Sequence, residues 1–249
     1  MKVHECYEVP KDLKKNRFKD IKPYKHNRVV LIDVEQNDPY GDYINASYIV
    51  GYALMDQFIS AQGPRPNTVA DFLCMLWEQG ASCVVMLTRE VEGGKRKCTN
   101  YWYKLHESKS YGIYTVEVID EEKWLDFTIR KLKLQKAGSG SRIVTQFHFM
   151  SWPDYGCPEV SALLRLHKKV AVESRKGGVI VVHCSAGVGR SGTYIALNWL
   201  IHQSETEGGV DIPACVNRLR QSRVNMVQTV DQYAFLYRAM HQVLNLGET

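Results

Sequence analysis

Cys184 and Arg190 lie with five residues between them in Val181-Val-His-Cys-Ser-Ala-Gly-Val-Gly-Arg-Ser-Gly-Thr193. Gly187, Gly189 and the small residues Ser185 and Ala186 let successive backbone N–H groups turn inward as an anion-binding nest. A helix beginning near Arg190 would add the positive end of its dipole. Those dipoles and the Arg190 guanidinium would stabilise a thiolate at Cys184. A thiolate facing an anion cradle is a nucleophile suited to attack on phosphorus. The spacing alone is not specific, because Cys83 and Arg89 share it. Between those two lie Val, Val, Met, Leu and Thr, a strand-like run with no glycine to form a nest, so Cys83 reads as core.

A loop of this kind needs a strand to enter it and a helix to leave it. The run 179–182 is short, continuous and apolar, as expected of a central strand. Helical patterns follow over 192–205, 212–220 and 230–244. Upstream, 160–176 reads as an amphipathic helix ended by Gly177-Gly178, and Thr68-Val-Ala-Asp71 as a cap feeding a helix over 72–79 stopped by Gly80. Residues 82–88 read as a buried strand. The runs 127–134 and 142–149 alternate apolar and polar residues around the small-residue stretch 136–141, which predicts an antiparallel hairpin, with 114–119 joining the same sheet. No composition break separates sheet from helices. The fold class expected is α+β, one domain over 1–249, with a twisted mixed sheet flanked by helices and the anion loop between a central strand and a helix.

The composition agrees with a soluble globular chain: 249 residues, 45% apolar and 24% charged. No apolar run is long enough to span a membrane, and the first residues are too polar for a signal peptide. Seven cysteines without a C-x-x-C pair imply free thiols, no zinc framework and a cytoplasmic or cytosol-facing location. A net charge of +5 is weak for a nucleic-acid-binding domain, and no nucleic-acid partner is expected. The basic residues gather at 11–25 and 95–97, either a solvated face or a rim that attracts an anionic substrate.

Several further motifs fall in a known order: Lys15-Asn-Arg-Phe-Lys-Asp20, Asp42-Tyr-Ile-Asn-Ala-Ser-Tyr48, Ala61-Gln-Gly-Pro64, Lys97-Cys-Thr-Asn-Tyr-Trp102, Trp152-Pro-Asp154 and Gln228-Thr-Val-Asp-Gln232. With His183 to Gly192 they resemble the tyrosine-specific, cysteine-dependent protein tyrosine phosphatases over roughly residues 15 to 243. The resemblance implies that Cys184 attacks the phosphorus of phosphotyrosine, that Arg190 forks onto two phosphate oxygens, and that Asp154 is the general acid and later the base. It implies that Ser185, Ala186, Gly187, Val188, Gly189 and Arg190 hold the phosphate. Gln228 and Gln232 would position the attacking water, although Thr229 and Gln232 also have capping-box spacing for the last helix. Ser191 would donate to the cysteine sulfur. His183, partnered by Tyr101, would tune the thiolate or else be a satisfied core histidine. Glu92 would pair with Arg190 or else be an exposed turn residue. Phe18 would stack on the substrate ring in a pocket too deep for phosphoserine, and Asp20 would accept from the substrate backbone.

The partners implied are tyrosine-phosphorylated proteins or peptides, with no cofactor and no metal. A mobile acid loop carrying Asp154 would close over the phosphate, and Cys184 would oxidise reversibly, through a sulfenamide with the next backbone nitrogen. Phe18 stands where the family usually has Tyr. Tyr155 and Cys157 depart from the usual acid-loop residues. Asn225 occupies a position where a glycine opens a second phosphotyrosine pocket in some members, so no preference for tandem phosphotyrosine is expected. Few residues precede Lys15 to Asp20, which resembles the family's phosphotyrosine-recognition loop, so the chain either lacks the N-terminal helical elements that many members carry or is an excised domain. Two other readings are a catalytically weak phosphotyrosine trap and a phosphatase of broader range. Intact Cys184, Asp154, Arg190 and Gln228 argue against the first, and the deep pocket argues against the second.

Overall fold

The computed structural model describes residues 4–34, 38–52, 58–153 and 156–246. Among them the chain forms β1 (Arg28–Val30), β2 (Tyr43–Ile49), β3 (Phe58–Ala61), α1 (Val69–Glu78) and β4 (Ala81–Met86). A small hairpin follows, β5 (Val91–Glu92) and β6 (Lys95–Arg96), then β7 (Ser108–Tyr111), β8 (Tyr114–Lys123), β9 (Phe127–Lys136) and β10 (Gly140–Phe149). The rest is α2 (Val160–Ser174), β11 (Val179–His183), α3 (Gly189–Glu207), α4 (Ile212–Ser222) and α5 (Val230–Leu246). Nine strands form one sheet in the order β1-β2-β3-β11-β4-β10-β9-β8-β7. Its centre, β3, β11, β4 and β10, is parallel, and both flanks are antiparallel.

Strand alternation divides the core between the two faces of this sheet. Ile180 and Val182 of β11, with Cys83 and Val85 of β4, pack under α2, α3, α4 and α5. Val181, Val84 and Met86 point the other way, into a second core closed by α1 with Tyr101 and Trp102. The parallel centre, buried on both faces, explains why 179–182 reads as an unbroken apolar run. Cys83 is fully enclosed in β4, and burial pushes its thiol up to about 12, as suits a core residue.

The expected hairpin is present, with β9 and β10 paired antiparallel from Phe127↔Phe149 to Lys136↔Gly140 and β8 alongside. All five helices also form where the periodicity predicts them, with ends displaced by up to three residues. At α1 the local reason differs from the expected one. Thr68 occupies the N-cap, but its hydroxyl accepts from the Arg65 N–H (2.9 Å) and does not cap the helix, while Asp71 pairs with Lys15 (3.3 Å). No helix among the described residues is long and apolar enough to cross a membrane.

Three histidines are sealed into this fold. Burial first of all pushes His148 and His167 down to about 4 and His183 to about 3, so all three are neutral. Their folded values lie below the unfolded one, near 6.5, so the unfolded chain takes up protons that the folded chain refuses. Their contribution to stability is complete above about pH 6.5 and is lost as the pH falls toward 4 and below. The urea midpoint is expected to drop across that window, and His167→Gln to flatten the slope. A slope indifferent to that substitution would remove the histidines as its source.

Candidate active site

The four parallel strands end at one edge of the sheet, and the segment after each carries residues of the site. In parallel sheets the crevice beyond the carboxyl ends of the strands is where ligands bind. Segment 62–64 leaves β3, segment 87–92 leaves β4, segment 150–153 leaves β10 and loop 184–190 leaves β11. Hydrogen bonds tie them together. Gly63 N–H donates to the Ser185 carbonyl (3.1 Å), and Leu87 N–H donates to the His183 carbonyl (2.9 Å).

Within loop 184–190 four consecutive carbonyls have partners outside the loop. Ser185 O takes the Gly63 N–H, and Ala186 O takes Arg223 Nη2 (3.1 Å). Gly187 O takes Arg223 Nε (2.8 Å) and Ser60 Oγ (3.0 Å), and Val188 O takes the N–H groups of Gly192 and Val227 (both 3.1 Å). Across a planar trans peptide the N–H points opposite to the carbonyl. The N–H groups of Ala186, Gly187, Val188 and Gly189 are therefore turned away from those partners, and the Gly187 N–H meets Cys184 Sγ at 3.3 Å. This is the nest geometry expected from the sequence. Gly187 is required by it: its φ is +70°, and a Cβ there would stand 2.2 Å from the Ala61 carbonyl oxygen.

Arg223, at the end of α4, is fully buried and pairs with no carboxylate among the described residues. It satisfies its guanidinium on Ala186 O, Gly187 O, Ser47 Oγ (3.0 Å) and Asn45 Oδ1 (2.7 Å). Burial lowers its pKa to about 10, which leaves a cation beneath the loop at neutral pH. Nothing in the sequence distinguishes it from the neighbouring Arg218 and Arg220.

Arg190 emerges from the first turn of α3. Its Nη1 and Nη2 meet the two oxygens of Glu92 (2.6 and 2.9 Å), and the same groups reach Leu87 O and Pro153 O (both 3.2 Å). Glu92 is thus a buried partner and not an exposed turn residue. It is delivered by the β5–β6 hairpin, whose two-residue Gly93-Gly94 connection has φ of 53° and 71°, the left-handed turn that matches strand twist. Burial alone would raise the Glu92 carboxyl, but hydrogen bonds from Arg190, Thr88 and the Arg89 N–H hold it below its usual range.

The recognition segment is fastened to the same edge. Arg17 N–H donates to Gln62 Oε1 (2.9 Å), Gln62 Nε2 donates to Lys15 O (2.7 Å), and Arg17 Nη2 spans Gly63 O and Pro64 O (2.9 and 2.8 Å). Asn16 Oδ1 accepts from Tyr43 and Asn45 of β2. With their neighbours fixed, Phe18 and Asp20 stay exposed, Phe18 at 44%. Gly63 lies against the nucleophile loop, where a Cβ would stand 2.5 Å from Cys184 O. Gln62, Arg17, Asn45 and Arg223 are thus structural determinants of the site that the sequence reading did not single out.

Trp152 is buried beneath the edge and donates from Nε1 to Gly156 O (3.2 Å). Asp154 and Tyr155 lie outside the described residues. Cys157 is half-buried against the helical core. Ser191 is fully buried, and its hydroxyl has no partner among the described residues, so the bond to Cys184 Sγ that the resemblance implies is not made here.

Gln228 and Gln232 both lie over Gly189, where a Cβ would come within 3.2 Å of each side chain. Gln232 also completes the capping box: its N–H donates to Thr229 Oγ1 (3.2 Å) while its Oε1 accepts from the N–H groups of Gln228 and Thr229 (2.9 and 3.3 Å). Just before Gln228, the buried Val227 has φ of 57°, a strained conformation for a β-branched residue. It is held by its N–H to Val188 O and by Arg220 Nη2 on its own carbonyl (2.9 Å). Asn225 is exposed with φ of 56°, so it keeps the left-handed backbone of a glycine while adding a side chain. His183 is fully buried with Nε2 2.9 Å from the Tyr101 hydroxyl, the partner expected for it.

Comparison with known proteins agrees with this geometry. The family model described as protein-tyrosine phosphatase matches residues 12–242. The human receptor-type tyrosine-protein phosphatase alpha is 43% identical over 242 residues, covering 94% of this chain and 30% of that protein. The mouse receptor-type tyrosine-protein phosphatase C is 42% identical over 245 residues, covering 96% of this chain and 19% of that protein. The chain thus spans less than a third of the length of these relatives. On the family match over 12–242 and these identities, the chain belongs to the protein-tyrosine phosphatase family.

Proposed function

We propose that this chain is one catalytic domain that hydrolyses phosphotyrosine in proteins or peptides through a cysteinyl-phosphate. The observation that carries the reading is the outward fixing of four consecutive carbonyls, from Ser185 to Val188, around Cys184. Their opposed N–H groups and the Arg190 guanidinium would bind the three non-bridging phosphate oxygens and hold them as charge moves in the transition state. Cys184 Sγ forms a bond to phosphorus as the bond to the tyrosine oxygen breaks, and Asp154 gives that oxygen its proton. Water, positioned by Gln228, then attacks the phosphorus. The S–P bond breaks, Asp154 takes the proton of the water, and inorganic phosphate leaves with the thiolate restored. Gln232 supports Gln228 by capping α5. Glu92 orients Arg190. Phe18 and Asp20 receive the substrate ring and backbone. The site faces the cytosol, where tyrosine-phosphorylated proteins are its partners.

Steady-state hydrolysis of a phosphotyrosine peptide and its phosphoserine counterpart, with chelator present, tests the reading. Phosphotyrosine alone should turn over. Asp154→Asn should lower kcat by about 10² to 10⁴-fold, and far less for an aryl phosphate whose leaving group needs no proton. Equal losses on both kinds of substrate would remove Asp154 as the acid. Peptide binding without turnover by the folded wild type would favour a phosphotyrosine trap.

A further inference from the structure

The buried polar groups between the outer sheet and the nucleophile form a chain whose hydrogen bonds have only one possible direction. Arg130 of β9 is anchored by Glu121 of β8 (Nε–Oε2, 2.7 Å) and lies over the Trp102 ring. Its Nη1 donates to Gln146 Oε1 of β10 (3.0 Å). A guanidinium cannot accept, so the amide oxygen of Gln146 faces it and the amide NH₂ faces inward. That NH₂ donates to the Tyr101 hydroxyl oxygen (2.9 Å). Burial keeps Tyr101 protonated, and its single proton is then directed to His183 Nε2 (2.9 Å). The neutral His183 ring therefore carries its own proton on Nδ1, a buried atom of the residue next to Cys184 that makes no hydrogen bond among the described residues.

We propose that Arg130 and Gln146 are positioning residues for Cys184, fixing through Tyr101 which ring nitrogen of His183 holds the proton. This rests on the reading of Cys184 as the nucleophile. The same guanidinium has a second branch. Its Nη1 is 3.4 Å from His148 Nδ1, which must accept, so His148 Nε2 donates to Thr88 O (3.0 Å). Thr88 in turn donates from Oγ1 to Glu92 (2.7 Å), the partner of Arg190. Arg130, 54 residues before Cys184 in sequence, thus sets the direction of the hydrogen bonds that reach His183, whereas the Thr88–Glu92 bond keeps its direction in any case, because a carboxylate can only accept. The groups facing His183 are Tyr101, the Cys184 backbone, His148 and Arg17. Those facing Cys184 include Arg223 and Cys98.

Gln146→Glu keeps the shape and the Arg130 contact but replaces the inward donor with an acceptor. The Tyr101 proton would turn toward the new carboxylate, and His183 would have to protonate Nε2 and leave Nδ1 bare. Alkylation of Cys184 by iodoacetate, followed by mass spectrometry of its peptide, should then shift to higher pH by about one unit, with kcat/KM about tenfold lower. In a Tyr101→Phe background the same substitution should add nothing, since the chain is already cut. A Gln146→Glu protein that loses stability but keeps the wild-type alkylation curve, or an effect that persists without the Tyr101 hydroxyl, would overturn the proposal. ¹⁵N NMR of the wild-type histidines decides it without any variant: His183 protonated at Nδ1 supports it, and protonation at Nε2 overturns it. The alkylation and NMR readouts need no turnover. Activity surviving in Cys184→Ser would therefore sink the nucleophile reading separately.

Discussion

Cys184→Ser should lower kcat on a phosphotyrosine peptide on the order of 10⁵-fold while leaving the fold and peptide binding intact. A serine hydroxyl in the same enclosure stays protonated near neutral pH and is a poor nucleophile. The anion cradle does not depend on the cysteine side chain. The loop carbonyls are held by Gly63, Ser60, Arg223, Gly192 and Val227, and Arg190 is held by Glu92. Calorimetry should therefore give a phosphopeptide affinity within a few-fold of wild type, and a matched unphosphorylated peptide should not bind. Turnover within about 100-fold of wild type would mean that another group attacks phosphorus.

Arg223→Met tests the support beneath the cradle and should damage stability and turnover together. The substitution strands three acceptors, Ala186 O, Ser47 Oγ and Asn45 Oδ1, and leaves Gly187 O with Ser60 Oγ alone. Each unpaired group costs about 1–3 kcal/mol, offset in part because a buried cation no longer has to be desolvated. A net loss of about 3 kcal/mol is expected in urea denaturation. At a temperature where the variant is still folded, kcat/KM should fall by about 10² or more, because the Ala186 peptide is free to rotate and present its carbonyl to the phosphate while the Gly187 peptide keeps one of its two donors. Arg223→Lys keeps the charge but lacks the planar fork, so it should recover part of the stability and little of the activity. A variant that unfolds earlier yet turns over normally would reduce Arg223 to a structural role.

The parts of the site legible in the sequence are those whose chemistry is local. The strand, glycine loop and helix over 179–205 announce themselves by composition, and the 127–149 hairpin announces itself by alternation. What escaped is long-range pairing. β1, β2, β3 and β7 are short or lack clear alternation, and the order β3-β11-β4-β10 is set by crossovers that no window of sequence contains. Arg223 escaped because a charged residue in a polar helix reads as solvated, and only the tertiary fold reveals that neutral acceptors enclose it. The two readings of Gln232 are both geometrically served, since the side chain that lies over Gly189 also caps α5. Thr68 shows the converse: the capping signal marks the right residue, but a nearer N–H, that of Arg65, takes the hydroxyl.

The central claim is a covalent phosphoryl group on Cys184. Rapid acid quench of a phosphotyrosine-peptide reaction, with mass spectrometry of the peptide that carries Cys184, tests it most directly. In Gln228→Ala, where the second step should be slower than the first, the account predicts that one phosphoryl group accumulates on Cys184 as a burst of dephosphorylated peptide is released. Dephosphorylation that proceeds at full rate with Cys184 never phosphorylated would contradict it.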